Sequence, residues 1–143
     1  MKIIALDVGT KSLGLAISDE FEEFSFPLKT INFNNFLECF DELLSIIEEK
    51  KVQKIIIGLP KNMDSTSGFA AKRSMDFKEE LLKRISLPVE FVDERLSSVE
   101  AEKYLINEDM SRKKRKKYID SVAASIILDT YLRTKKDKRS NYE

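Results

Sequence analysis

The opening segment, Ile3-Ile4-Ala5-Leu6-Asp7-Val8-Gly9-Thr10-Lys11-Ser12-Leu13-Gly14-Leu15-Ala16-Ile17-Ser18-Asp19, constrains the fold more than any other stretch. An apolar run delivers one carboxylate, Asp7, to its C-terminal end. A tight turn containing Gly9 follows, and then a second apolar run containing Gly14. Two apolar runs around a short glycine turn read as neighbouring strands. A buried strand that ends in an acid, beside a strand whose glycine leaves room for a ligand, can hold a metal against a phosphate. That phosphate could belong to a nucleotide or to a nucleic-acid backbone.

The rest of the chain supplies the frame. Strands are expected over Lys2–Asp7, Leu13–Ser18 and Phe24–Ile31, with Pro27 marking the third as an edge strand. Three strands with short links form an antiparallel meander. Helical spacing of apolar residues covers Phe36–Glu49. Ile55-Ile56-Ile57 within Lys54–Gly58 is a continuous run of the kind found in a buried central strand. A polar loop, Leu59–Gly68, leads to a helix over Phe69–Ile85 and a fifth strand over Pro88–Val92. Ser97-Ser98-Val99-Glu100 is a capping box that starts a helix to about Asn107, and Tyr118–Arg133 reads as the last helix. This order predicts an α/β fold: a central five-stranded mixed sheet, three antiparallel strands and then two parallel ones, with helices on both faces. The expected organisation is one domain over residues 1–134 and a charged, flexible tail over 135–143. The C-terminal ends of the first, fourth and fifth strands then share one edge, where open α/β sheets bind ligands.

Residue types narrow the chemistry. The chain has 143 residues and no histidine, which removes Ser-His-Asp and Cys-His catalysis and the usual imidazole metal sites. Cys39 is the only cysteine, so there is no disulfide framework and no zinc cluster; its place in a helical apolar pattern reads as core packing. No apolar run reaches the roughly 20 residues that span a bilayer, and Asp7 interrupts the first one too early for a signal peptide. A cytoplasmic protein is the expectation, with no membrane partner.

Three acidic positions stand out. Asp7 ends the first strand, Asp93-Glu94 ends the fifth, and Asp120 lies near the start of the last helix, before Val122-Ala123-Ala124. Small residues there let the helix lie close to the sheet. Carboxylates that converge cannot all stay ionised without a cation. Mg²⁺ or Mn²⁺, as one or two ions, relieves the repulsion through oxygen ligands and can activate water for phosphodiester hydrolysis. Each acid also has a plainer reading: Asp7 as a turn former, Asp120 as a charge complementing the helix dipole. Asp93 and Glu94 cannot both face the site in a continuous strand; the longer Glu94 is favoured as the ligand, leaving Asp93 to cap or pair with Arg95.

Charge points to a polymer. The formal net charge is zero, yet residues 111–143 hold 11 Lys and Arg against 4 acids. Ser111 is followed by Arg112, Lys113, Lys114, Arg115, Lys116 and Lys117 in unbroken series. Such runs are often a solvated face, but this one leads into the helix that carries Asp120, as a phosphate backbone would require. Lys11 in the first turn, Lys61 and Asn62 in the long polar loop, and Arg95 after the fifth strand are further candidates for phosphate contact.

Four segments together resemble the YqgF (RuvX) family of bacterial RNase H-like nucleases. They are Leu6-Asp7-Val8-Gly9-Thr10-Lys11-Ser12-Leu13-Gly14 with Ser18-Asp19; Gly58-Leu59-Pro60-Lys61-Asn62-Met63-Asp64; Val92-Asp93-Glu94-Arg95-Leu96-Ser97-Ser98-Val99-Glu100-Ala101; and Ser111 to Lys117 followed by Ile119-Asp120-Ser121-Val122-Ala123-Ala124. The resemblance implies an RNase H-like fold and a divalent-metal nuclease with its acids at Asp7, Glu94 and Asp120. It also implies a role at the 5′ end of pre-16S rRNA, so that the partner is structured RNA or a ribosomal particle. An older assignment, by similarity to the RuvC resolvase, is cleavage of Holliday junctions. Two positions depart from the pattern: Asp64-Ser65 stands where the family usually has Asp-Gly, and Ala123 stands where RuvC-like resolvases place a further acid.

The competing functions are then a resolvase of four-way DNA junctions, which needs paired nicks and so a symmetric dimer, and a non-catalytic nucleic-acid-binding module. Monomer and homodimer both remain open. Kinases of the actin and sugar-kinase type share the Asp-x-Gly-Thr opening, but they need a second domain for which 143 residues leave no room.

Overall fold

The alternation of side chains along the first strand sets the layering. A computed structural model of the chain describes residues 1–60, 68–94 and 112–141. In β1 (Ile3–Val8), Ile4, Leu6 and Val8 point to one face of the sheet, while Ile3 and Ala5 point to the other. The first face also carries Leu13 and Leu15 of β2 (Ser12–Ser18) and Ile55 and Ile57 of β4 (Lys54–Pro60). It is covered by Phe40, Leu43 and Ile47 of α1 (Phe40–Glu49) and by Phe77 and Leu81 of α2 (Gly68–Leu82). Phe40 and Phe77 stack with ring centroids 4.8 Å apart at its centre. The second face, with Ala16 and Ile56, meets Ala124, Ile127, Leu128 and Leu132 of α3 (Arg112–Asn141).

The sheet runs β3-β2-β1-β4-β5, with β3 at Ser25–Asn32 and β5 at Val89–Glu94. β1, β2 and β3 pair antiparallel; β1, β4 and β5 pair parallel. This is the expected mixed sheet with helices on both faces. Pro27 lies on the edge strand, opposite Ala16 beside a register shift, where its missing N–H costs no ladder bond.

Boundaries differ where tertiary pairing adds what local pattern lacks. β4 and β5 extend to Pro60 and Glu94 because they pair with each other through Leu59↔Asp93 and Pro60↔Glu94. The helix expected from Phe36 begins as a 3-10 turn, Phe36–Cys39, capped by Asn35, whose side chain accepts from the Leu37 N–H. α3 is longer at both ends than Tyr118–Arg133. It takes in the basic run 112–117 and continues to Asn141, through residues rich in Lys and Arg that favour helix without contributing an apolar stripe. The expected helix over Ser97–Asn107 and the loop residues 61–67 lie outside the described residues. No helix among the described residues is long and apolar enough to cross a membrane.

Cys39 is buried and its Sγ donates to the Phe36 carbonyl at 2.9 Å. Burial pushes its thiol up to about 11. At pH 8 the folded protein should therefore resist alkylation by iodoacetamide, and the urea-unfolded protein should react; rapid labelling of the native state, followed by mass spectrometry, would contradict the packing. Phe77→Ala should lower stability by about 3–5 kcal/mol in urea titrations, because a fully buried ring leaves a cavity under the sheet.

Candidate active site

Asp7 continues the Ile3, Ala5 series and so stands on the α3 face, one position beyond the last β1–β4 pair, Leu6↔Ile57. Its partner across β2 is Gly14. The helix backbone lies directly over that glycine: a Cβ at position 14 would come within 2.1 Å of the Asp120 carbonyl oxygen, 2.4 Å of its carbonyl carbon and 3.0 Å of its Cβ. Asp120 is thereby seated beside the strand neighbour of Asp7. Ser12, two residues before Gly14 on the same face, donates its hydroxyl to Asp120 Oδ2 at 2.6 Å. The Gly9 N–H donates to the Ser12 carbonyl at 2.8 Å, closing the turn that positions Ser12.

This corrects the reading of Gly14 as room for a ligand and agrees with that of Gly9 as a turn residue. The space at Gly14 is filled by α3. At Gly9 a Cβ would meet the Ser12 carbonyl oxygen at 3.0 Å, so that glycine serves the turn. Asp120 is also no N-terminal charge. α3 begins at Arg112, which puts Asp120 beyond the first turn, where the dipole effect has faded.

The strand alternation in β5 separates its two acids. Val89 and Phe91 pack with the α1/α2 cluster and Val92 with the α3 cluster. Asp93 therefore follows Phe91, while position 94 follows Val92 onto the face that carries Asp7 and Asp120. Asp93 is exposed. The side chain of Glu94 is outside the described residues, and among the described side chains no three acids come together as a metal cluster. The described donors on this face, the Asp7 and Asp120 carboxylates and the Ser12 hydroxyl, are all oxygen, the donor type suited to Mg²⁺ or Mn²⁺.

The cationic candidates divide. Lys11 is exposed in the β1–β2 turn, where its carbonyl accepts from the Phe33 N–H at 2.9 Å. Lys61, Asn62 and Arg95 lie outside the described residues. Arg112, Lys113, Lys114, Arg115 and Lys116 form the first turns of α3, with side chains outside the description. Asp120 lies eight positions after Arg112, about 12 Å along the helix axis. From Asp120 the helix runs back over Ala5 and Ala16, and Tyr131 reaches Lys54 at the start of β4. The basic turns therefore extend the other way, past the sheet edge that carries Asp7.

One residue at this edge was not singled out from the sequence. Arg73 of α2 donates from Nε to the carbonyl of Val8, the residue after Asp7, at 3.4 Å. Its available signal was spacing: Arg73, Phe77 and Leu81 recur every four residues, so a cation occupies a position in the helix's inward stripe.

The RuvX family, described as Holliday junction resolvase, matches residues 1–134. The chain belongs to this family. Among curated relatives, a protein of Oenococcus oeni is 45% identical over 144 residues, covering 99% of each chain. One of Geobacillus thermodenitrificans is 46% identical over 138 residues, covering 95% of this chain and 100% of the relative. One of Maridesulfovibrio salexigens is 45% identical over 132 residues, covering 92% and 98%. All three are named "Putative pre-16S rRNA nuclease". Among solved structures, T. thermophilus RuvC in complex with Holliday junction substrate matches with TM-score 0.56 and 11% identity, covering 94% of this chain and 96% of that one. The fowlpox virus resolvase with Holliday junction DNA matches with TM-score 0.54 and 14% identity, covering 94% and 98%. At those identities the likeness establishes the fold, which is RNase H-like, as the four motifs implied.

In this RuvX-family chain the Gly14–Asp120 contact should outweigh the Ser12–Asp120 hydrogen bond. Gly14→Ala forces backbone against backbone and should cost about 1–3 kcal/mol or more. Ser12→Ala should cost about 1 kcal/mol. Thermal unfolding of both variants checks the order; equal losses would mean that α3 yields easily at this point.

Proposed function

We propose that the chain is a divalent-metal-dependent endonuclease acting on structured RNA, with the 5′ end of pre-16S rRNA as its substrate. The observation that carries this reading is the seating of Asp120 on Gly14, which gathers two carboxylates from distant parts of a nuclease-family chain onto one face at a sheet edge. Asp7, Asp120 and Glu94 would hold Mg²⁺ or Mn²⁺, as one or two ions. The metal, when bound, would supply the positive charge that lets the acids converge and that promotes attack of water on phosphorus.

The chain's own residues do the rest. β1 holds Asp7 rigidly through its pairing with Gly14. Ser12 orients one carboxylate oxygen of Asp120 and leaves the other for a ligand. The basic turns of α3, with Lys11, Lys61, Asn62 and Arg95, contact phosphates along the backbone and set the register of the polymer. The names carried by the relatives favour RNA. The family description and both solved neighbours name Holliday junctions, so a four-way DNA junction is the competing substrate. Position 123 is alanine, so the further acid of RuvC-like resolvases is missing there, which favours the RNA reading. The site of action is the cytoplasm, where ribosome assembly occurs in bacteria.

Asp7→Asn should lower cleavage of an RNA spanning the precursor–mature junction of 16S rRNA by at least about 10²-fold while leaving the fold intact by circular dichroism. Wild-type cleavage should vanish with EDTA and return with Mg²⁺ or Mn²⁺. Paired nicking of a four-way DNA junction with no RNA cleavage would establish the resolvase instead, and binding without turnover across Mg²⁺ and Mn²⁺ would establish a binding module.

A further inference from the structure

We propose that Arg73 is a phosphate-binding residue of this site, gripping the nucleic-acid backbone from the α2 side of the sheet while the acids work on the α3 side. The inference rests on the nuclease reading above and adds a contact that neither the sequence motifs nor the comparisons assign.

The placement follows from the way α2 packs. Phe77 and Leu81 are fully buried against the sheet, and Ser74 is nearly so. Arg73 lies one turn closer to the helix start, where the apolar stripe reaches the edge. α2 follows β4 and runs back across the sheet, so its early turns stand at the same edge as the C-terminal ends of β1 and β4. There the Arg73 Nε meets the Val8 carbonyl, one residue beyond Asp7. The partly buried guanidinium is thus fixed against the strand that carries the catalytic acid.

Its bonding is incomplete. Among the described residues Arg73 has only the Val8 carbonyl, which uses one N–H of a group that presents five in a planar fork. A phosphodiester has the charge and the paired oxygens that the rest of the fork matches. The edge of β1 would then separate two functions, with the carboxylates at Asp7 and Asp120 on one face and an anion clamp on the other. A nucleic-acid backbone passing over the end of the strand reaches both.

Binding and cleavage together test this. In an Asp7→Asn background, which stops turnover, RNA affinity is measured from 50 to 200 mM salt with and without Arg73→Gln. The log–log salt slope should fall by about 1 with Arg73→Gln, the signature of one lost phosphate contact. With Asp7 intact, Arg73→Gln should lower cleavage by about 10- to 100-fold. Arg73→Lys, which keeps the charge and loses the fork, should retain the salt slope and part of the rate. An unchanged slope overturns the proposal, whether the rate holds or falls. If the rate falls alongside a lower melting temperature and Arg73→Lys does not rescue it, Arg73 merely braces Val8. If wild-type protein binds RNA without cleaving it, the nuclease reading fails, while the slope still decides whether Arg73 holds a phosphate.

Discussion

The contact of the α3 backbone with Gly14 is the constraint on which the site depends. The two faces of the sheet are built to different depths. One carries Ile, Leu and Phe and keeps α1 and α2 at the distance their side chains require. The other presents Ala5, Gly14 and Ala16 between Ile3 and Ile56, so that at Gly14 α3 comes down almost onto the strands. Only at that separation can short side chains bridge helix and sheet, as Ser12 does to Asp120 at 2.6 Å and Ser25 does to the Ser125 carbonyl at 2.6 Å. A bulkier residue at position 14 would lift the helix and carry Asp120 away from Asp7 with it.

Charge is distributed along the same axis. At the end of the sheet away from the site, two half-buried cations are neutralised within the fold: Lys54 bridges Tyr131 and Glu90, and Lys135 ties the tip of the β2–β3 hairpin to α3 through Glu22. At the site end, Arg73 has a backbone carbonyl and no ion pair among the described residues, and α3 extends its basic turns past the sheet edge. A chain with no net charge can therefore carry its basic turns beside the edge that holds Asp7 and Asp120. The proposed binding of a phosphate backbone and of a metal would need opposite charges, and neighbouring elements would supply them.

The legibility of each part followed the range of the interaction that determines it. Strands β1, β2 and β4 were readable because apolar runs and turn residues are local signals, and Asp7 was readable because it interrupts such a run at its end. The preference for Glu94 over Asp93 rested on reach alone, since the pairing of β5 that sets the alternation of its faces is not a local signal. The true extent of α3 was not readable. Its first and last turns carry no apolar periodicity, and it is held as a helix by continuity with a packed centre. Arg73 escaped notice for a related reason, since a single cation in an inward stripe acquires meaning only when the strand end it touches is known.

By itself the sequence determined the order of the described elements and the mixed sheet, and it confined any metal ligands to oxygen donors in the main, because periodicity and the absence of histidine are properties of the chain alone. The tertiary structure alone decided what Gly14 is for and which side chains share a face. Gly14 looked like space for a ligand and proved to be space for a helix, because the filling atoms come from Asp120, far along the chain. Which turn of a helix lands on which residue of a strand is settled through space, by the packing of two surfaces.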